Sequence, residues 1–333
     1  MRRGFLFINL GTPKSATIPE VRNYLRAFLT DKRVIDLPAL LRYILVYVFI
    51  LPFRAKRSAL AYQAIWTEHG SPLLHHSQNL MLAMQKKLSN EHSIALGMRY
   101  GEPSIASALE QLKHCESITI LPLYPQYSSA ANGSSIEEAM RIICTWNIIP
   151  SITIISQFFQ HPAYIKAQAG LIKEYLQNQG HVLFSYHGIP QRQITKNECN
   201  IVCLNECPIF NEQNKNCYKA QCHQSSLLLA QELHLKPTQY STAFQSRLGR
   251  TPWIRPYTDE MLIQLTAQGI KKLVIVCPSF VADCLETLEE IGIRAKQQWL
   301  ALGGEQFTLV PCLNDHPVWI NAITEIIKQA KFL

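Results

Sequence analysis

Gly4 to Pro13 reads GFLFINLGTP, and His181 to Pro190 reads HVLFSYHGIP. Four of the ten positions are identical (Leu, Phe, Gly and Pro), and both stretches are short apolar runs closed by turn residues. Runs of this kind form buried parallel strands. A second matched pair follows in each half: Ile118 to Pro122 reads ITILP and Val274 to Pro278 reads VIVCP. One short match arises easily by chance. Two in the same order predict a duplicated α/β unit.

In this pairing Leu10 occupies the place of His187. Ligands of open α/β sheets bind beyond the carboxyl ends of the strands. His187 stands at such an end, on a turn that Gly188 allows to bend sharply. One half would then carry chemistry at His187 while the other supplies an apolar wall at Leu10. A histidine in this place also serves as a plain cap for a backbone carbonyl, and the stretch alone leaves both roles open.

At 333 residues the chain is long enough for two domains. Its 47% hydrophobic and 17% charged residues exclude a disordered chain. The net charge of +8 favours acidic partners, either an anionic membrane surface or a substrate bearing carboxylates. Nucleic acid is not expected, because no basic helical stripe is interleaved with aromatics. The opening MRRGFLFINLGTP has too short an apolar core for a signal peptide and no small-residue cleavage site, so it reads as the first strand. Ten cysteines without a secretory signal point to a reducing, cytoplasmic setting, with metal ligation or buried thiols rather than disulfides.

Thr17 to Leu29 predicts a helix, with Thr17 and Glu20 at capping-box spacing and Val21, Tyr24, Leu25 and Phe28 on one face. Tyr43 to Phe53 is uncharged, apolar and too short to span a bilayer. Arg54, Lys56 and Arg57 follow it, which suits a surface dipping into an anionic membrane interface. A buried core helix fits the same pattern. Further strands are predicted at Ile94–Arg99, Ile118–Leu123, Ile152–Ile155, Val182–Phe184 and Leu273–Val276. A helix at Ile136–Thr145 follows the hydroxyl-rich stretch Tyr124 to Ser135, which could set donors against an anionic group. Ser241–Thr258 reads as irregular, with Arg247, Arg250, Trp253 and Arg255 close together, and Val318–Ala330 as a terminal helix.

The late strand leads into Asp283, Glu286 and Glu290, which on an α-helix (i, i+3, i+7) share one narrow stripe. Three such carboxylates commonly mark a solvated face. Here they follow a strand expected beside His187, and an imidazole facing carboxylates suits both Fe(II) and proton uptake near neutral pH. Cys199, Cys203, Cys207, Cys217 and Cys222 form a second cluster spaced C-x3-C-x3-C-x9-C-x4-C, which fits no zinc ribbon. Four thiolates so close suit an iron–sulfur cluster, with Zn and a loop of free thiols as the alternatives. Cys115, Cys144, Cys277, Cys284 and Cys312 are scattered and read as buried packing residues.

Taken together, these stretches resemble the ferrochelatases, which insert Fe(II) into a porphyrin to make haem. The likeness runs nearly end to end: NLGTP at Asn9, IWTEHGSPL at Ile65, LGMRYGEPS at Leu96, LPLYPQYSS at Leu121, LFSYHGIP at Leu183, FQSRLGRTPWIRPYTDE at Phe244, CPSFVADCLETLEE at Cys277 and VPCLNDHPVWI at Val310. The resemblance implies two Rossmann-like domains, each a parallel sheet flanked by helices, with a porphyrin cleft between them. The expected bounds are 1–150, with the helix 316–333 packing back on it, and 151–315, with a cysteine-rich insertion at 197–222.

The resemblance also implies roles. His187 matches the active-site histidine, placed to bind metal or accept pyrrole protons, and Glu286 its carboxylate partner. Asp283 and Glu290 continue the acidic face, while Arg99, Tyr124 and Trp253 match porphyrin-pocket positions. Cys284 stands where the animal enzymes have a second histidine, so no metal role passes to it. Leu10, where coproporphyrin-using members tend to carry a tyrosine, favours protoporphyrin IX over coproporphyrin III. The animal cluster site is not matched: Ser129 replaces its internal cysteine, and no cysteine-bearing tail is present. Some bacterial members carry cysteines after the histidine strand, which implies a [2Fe-2S] cluster held by four of Cys199, Cys203, Cys207, Cys217 and Cys222. The expected partners are protoporphyrin IX, ferrous iron, an anionic membrane surface bound peripherally and a second copy of the chain. The rival readings are a non-catalytic iron–sulfur or zinc sensor, a haem carrier, and a cobalt chelatase, which would lack the YPQYS and FQSRLG stretches.

Overall fold

The computed structural model describes residues 2–88, 92–176, 180–196, 203, 207–249 and 251–330. Among them, four strands form the first sheet: β1 (Arg3–Gly11), β2 (His92–Tyr100), β3 (Ser117–Pro122) and β4 (Ser151–Ile154). Four more form the second: β5 (His181–His187), β6 (Tyr240–Gln245), β7 (Lys272–Val276) and β8 (Gln306–Leu309). All pairings are parallel, and the orders are β2-β1-β3-β4 and β6-β5-β7-β8. The two orders are the same, so the matched pairs β1/β5 and β3/β7 occupy equivalent places. The duplication holds.

The glycine shared by the two repeats has one physical reason. Gly11 has φ +104°, and a Cβ there would overlap the Tyr100 carbonyl oxygen at the end of β2. A Cβ on Gly188 would come within 2.7 Å of the Gln245 carbonyl oxygen at the end of β6. In each half the chain leaves its central strand by passing close under a neighbouring carbonyl, where only hydrogen fits.

Residues 1–157, 315–320 and 324–333 form one compact unit, and 158–314 with 321–323 form the other. In the first, Leu6, Ile8, Ile118 and Ile120 pack with Leu109 and Leu112 of the helix Ile105–Leu112 and with Ile143 of Ser134–Ile143. In the second, Leu183, Leu273 and Ile275 pack with Leu262 and Leu265 of the helix Thr258–Ala267 and with Ile291 and Trp299. Each such fully buried side chain stabilises its unit by about 1.5–3 kcal/mol.

Three local expectations are corrected. The start of Ser241–Thr258 is not irregular, because Tyr240–Gln245 is β6. This strand and β8 lie at the edges of their sheet, where short, polar sequence replaces the apolar run of a central strand. The capping box at Thr17 does not form: the helix begins at Ile18, and the Thr17 hydroxyl bonds Ser15 Oγ instead. Leu37 to Phe53 is no buried core helix. It forms Ala39–Ile44, a π-helical turn Leu45–Ile50 and the start of the helix Leu51–Ile65. The break falls just before Pro52, which has no N–H to continue the α-helical ladder. Only a narrow stripe turns inward (Val46, Leu51, Ala55, Ala59), leaving Leu40 72% and Phe53 77% exposed. No described helix is long and apolar enough to cross a membrane.

Candidate active site

His187 ends β5, and every polar atom of its main chain is held. Its N–H donates to Ser279 Oγ (3.0 Å), and its carbonyl accepts the Tyr218 hydroxyl (2.8 Å). The imidazole Nδ1 lies 2.6 Å from the Gly188 carbonyl oxygen. A carbonyl only accepts, so Nδ1 donates this bond, and in the neutral imidazole the lone pair is on Nε2. Such a nitrogen takes up a proton or ligates a divalent cation. Trp253 lies against the same turn: its ring approaches the Cβ position of Gly188 to 3.3 Å, and its indole N–H is held by the Leu248 carbonyl.

Beyond β7 the acidic residues do not form the expected α-helical stripe. Glu286–Ala295 is π-helical, so residues four to five apart share a side, and Glu286 and Glu290 are both half-buried. Asp283 precedes this helix and is buried. Its carboxylate accepts bonds from Asn314 Nδ2 (2.8 Å), Thr287 Oγ1 (3.0 Å) and the Cys312 N–H (3.3 Å). These partners tie the start of the helix to the segment after β8. Asp283, expected to continue the acidic face, is thus buried with its carboxylate held by three donors.

Glu290 accepts the Ser246 N–H (2.8 Å) and the Ser246 hydroxyl, and it lines a polar cavity of about 220 Å³ with Gln245, Arg247, Asp259 and Arg294. The Glu286 carbonyl accepts Gln245 Nε2 (2.9 Å), whose Oε1 in turn accepts Ser185 Oγ (2.8 Å). The Cys284 thiol sits against the Glu286 carboxylate. Burial, and then that negative charge, push the thiol well above its ordinary pKa.

In the first unit, Leu10 is half-buried near the end of β1. Arg99 does not present a free cation. Its Nη2 bonds Asp31 (2.7 Å), its Nε bonds Ser134 Oγ (2.7 Å), and its guanidinium lies over the Tyr100 ring. Asp31 also accepts Ser134 Oγ, the Tyr100 hydroxyl and the Arg33 N–H. Burial alone would raise the Asp31 pKa, but these hydrogen bonds and the Arg99 charge outweigh it and hold the carboxyl below its ordinary value. The Tyr124 hydroxyl is buried without a well-formed hydrogen bond, and burial pushes its pKa up.

The cysteine cluster is only partly placed, since Cys199 lies outside the described residues. Cys203 and Cys207 are half-buried, whereas Cys217 and Cys222 are buried. Cys222 is fully enclosed and hydrogen-bonded with Tyr218, and burial raises its pKa strongly. Among the described residues no three His, Cys, Asp or Glu side chains converge to hold a metal ion. The four described cysteines alone do not fit a cluster. Of the scattered cysteines, Cys144 is exposed rather than buried.

Tyr218, Ser279, Gln245, Ser246 and Asp31 were not singled out from sequence. The signal for one of them was available: Ser279 follows β7, at a strand end where sites form.

The chain matches the ferrochelatase family model over residues 2–331. It is 62% identical over 329 residues to a ferrochelatase of Legionella pneumophila (strain Lens), covering 99% of both chains. It is 50% identical over 334 residues to one of Coxiella burnetii (strain Dugway 5J108-111), covering 98% of this chain and 93% of that one. The fold is similar to SirB from Bacillus subtilis, solved with Fe3+, with a TM-score of 0.55 at 14% identity, covering 99% of this chain and 96% of that one. With the duplicated sheets and the histidine at the end of β5, these matches show that the chain belongs to the ferrochelatase family.

Proposed function

We propose that the chain inserts Fe(II) into protoporphyrin IX and releases two protons, a lyase reaction that forms metal–nitrogen bonds in the last step of haem biosynthesis. The observation that carries this reading is the His187 imidazole at the end of β5, with Nδ1 turned to the Gly188 carbonyl, so that the neutral ring carries its lone pair on Nε2. A free-base porphyrin must lose two pyrrole N–H protons, and Nε2 takes them one at a time, the first passing on before the second is accepted. Glu286 and Glu290 pass protons onward or balance the charge of the incoming ferrous ion, which is a substrate. Asp283 holds the start of their helix. Leu10, Tyr124 and Trp253 contribute to binding the macrocycle, and Arg99 contributes through the Asp31 and Ser134 network that it fixes. Binding energy from the ring's periphery would bend the macrocycle so that its nitrogen lone pairs turn toward the metal.

Anaerobic turnover of Fe(II) with protoporphyrin IX, beside coproporphyrin III, tests this reading on the parent and on His187→Ala. Haem formation that the substitution abolishes is expected. Faster coproporphyrin turnover would move the chain to that branch of the family, and no turnover with either would favour a non-catalytic sensor. A [2Fe-2S] cluster on four of Cys199, Cys203, Cys207, Cys217 and Cys222 would have to draw its described thiols together on binding, since they do not converge without it. The visible spectrum of the anaerobically isolated protein reads this directly.

The exposed apolar residues of 37–60, bordered by exposed Lys56 and Arg57, support peripheral attachment to an anionic membrane from the cytoplasm. Sedimentation with anionic vesicles tests this, and a second copy of the chain covering the same face is its other outcome.

A further inference from the structure

β5 pairs with β6 as far as His187, opposite Gln245, but with β7 only as far as Phe184, opposite Val276. Past that point β7 gives way to Cys277-Pro278-Ser279, and the last residues of β5 have no strand on that side. Peptide groups at a buried strand end need partners. At His187 two side chains supply them: Ser279 Oγ takes the N–H and the Tyr218 hydroxyl meets the carbonyl. Both are enclosed, Tyr218 at 4% and Ser279 at 9% exposure.

The clamp is itself braced. The turn carrying Ser279 is held by the Tyr164 hydroxyl, which donates to the Pro278 carbonyl (2.7 Å). Tyr218 opens the helix Tyr218–Glu232, directly after Cys217 and one turn before Cys222, so the clamp is built into the cysteine-rich segment. On the other side of the same peptide, the Gly188 N–H donates to the Gln245 carbonyl (2.8 Å). The 187–188 peptide is thus fixed at both polar atoms. The Gly188 carbonyl that selects the imidazole tautomer is the next group along.

We infer that Tyr218 and Ser279 are positioning residues that set the orientation and tautomer of His187. The inference rests on the reading of His187 as the proton acceptor. Loss of the Tyr218 hydroxyl frees the carbonyl of the 187–188 peptide, loss of the Ser279 hydroxyl frees the N–H of the preceding one, and the Nδ1 bond to Gly188 loosens in either case.

The test is Tyr218→Phe, Ser279→Ala and Ser279→Thr in the full chain, with His187→Ala alongside. Turnover is measured at saturating Fe(II), and the imidazole is read by 15N NMR of histidine-labelled protein. Tyr218→Phe and Ser279→Ala are expected to lower kcat roughly ten- to a hundredfold with the porphyrin KM unchanged. The His187 signals should shift from the single Nδ1–H form to a mixture of tautomers, and Ser279→Thr should restore both readouts. Parental kcat with a parental imidazole spectrum in Tyr218→Phe overturns the inference. So does a lowered melting temperature with that spectrum unchanged, which marks a purely structural role. His187→Ala that keeps parental kcat overturns the assignment of the base itself, a separate failure.

Discussion

The carboxylate of Glu290 is closed on Ser246, accepting both its backbone N–H and its hydroxyl, while Ser246 is held at φ +67°. The left-handed region is unfavourable for a serine, so the two bonds hold the chain where it leaves β6. A residue of the acidic helix thereby fixes a loop as well as supplying charge.

Glu290→Ala should therefore lower stability as well as turnover. Loss of one acceptor for two donors is expected to cost about 1–3 kcal/mol in urea unfolding. Ser246→Gly keeps the conformation at no steric cost and removes only the hydroxyl, so its loss should be smaller. An Ala variant with the parental unfolding midpoint would show that the contact contributes nothing.

The Asp31 network makes a prediction in pH. Its folded-state pKa lies below the ordinary value of 3.8, so its stabilisation is present in full above that value and is lost as the pH falls through the folded pKa. Asp31→Asn removes that contribution and leaves the Arg99 guanidinium, 20% exposed, without its counter-charge. The expected cost at pH 7 is about 3 kcal/mol. The gap between parent and variant should narrow as the pH is taken down below 4. A gap that stays constant from pH 7 to pH 3 would mean that the carboxylate does not titrate with folding.

Much of this was legible in the sequence, for reasons that differ by residue. The central strands β1, β3, β5 and β7 are buried on both sides and so are written as apolar runs. The edge strands β6 and β8 are not, and YSTAFQ gives no run to read. His187 was legible because a strand end followed by Gly188 is a local signal. The fate of Asp283 was not: its partners Cys312 and Asn314 lie about thirty residues on, and no helical periodicity encodes them. The same holds for Arg99, whose spacing to Asp31 says nothing of the ion pair that occupies it.

Thiol chemistry separates the cysteines. Cys144 is exposed and Cys203 and Cys207 are half-buried, while Cys222, Cys277, Cys284 and Cys312 are buried with pKa values driven up by burial. Thiolate is the reactive form, so the buried set should resist alkylation. Iodoacetamide treatment of the native, metal-free protein, followed by peptide mass mapping, should label Cys144 first and Cys203 and Cys207 more slowly. Early labelling of Cys284 would contradict its enclosure against Glu286.

The apolar face of 37–60 gives the last prediction. Leu40, Phe49 and Phe53 stand more than half exposed, and the exposed cations Lys56 and Arg57 follow them in the chain. Burying each apolar side chain in a lipid interface would contribute about 1.5–3 kcal/mol, and each cation near an anionic surface about 1 kcal/mol. Sedimentation with vesicles of phosphatidylglycerol and phosphatidylcholine should therefore carry the protein down. Phe53→Ser together with Leu40→Ser should release it, and high salt should release it in part. Binding to neutral vesicles as strong as to anionic ones would remove the role given to the cations. If the protein ignores vesicles but the double variant turns a dimer into a monomer by analytical ultracentrifugation, the face belongs to a second copy of the chain.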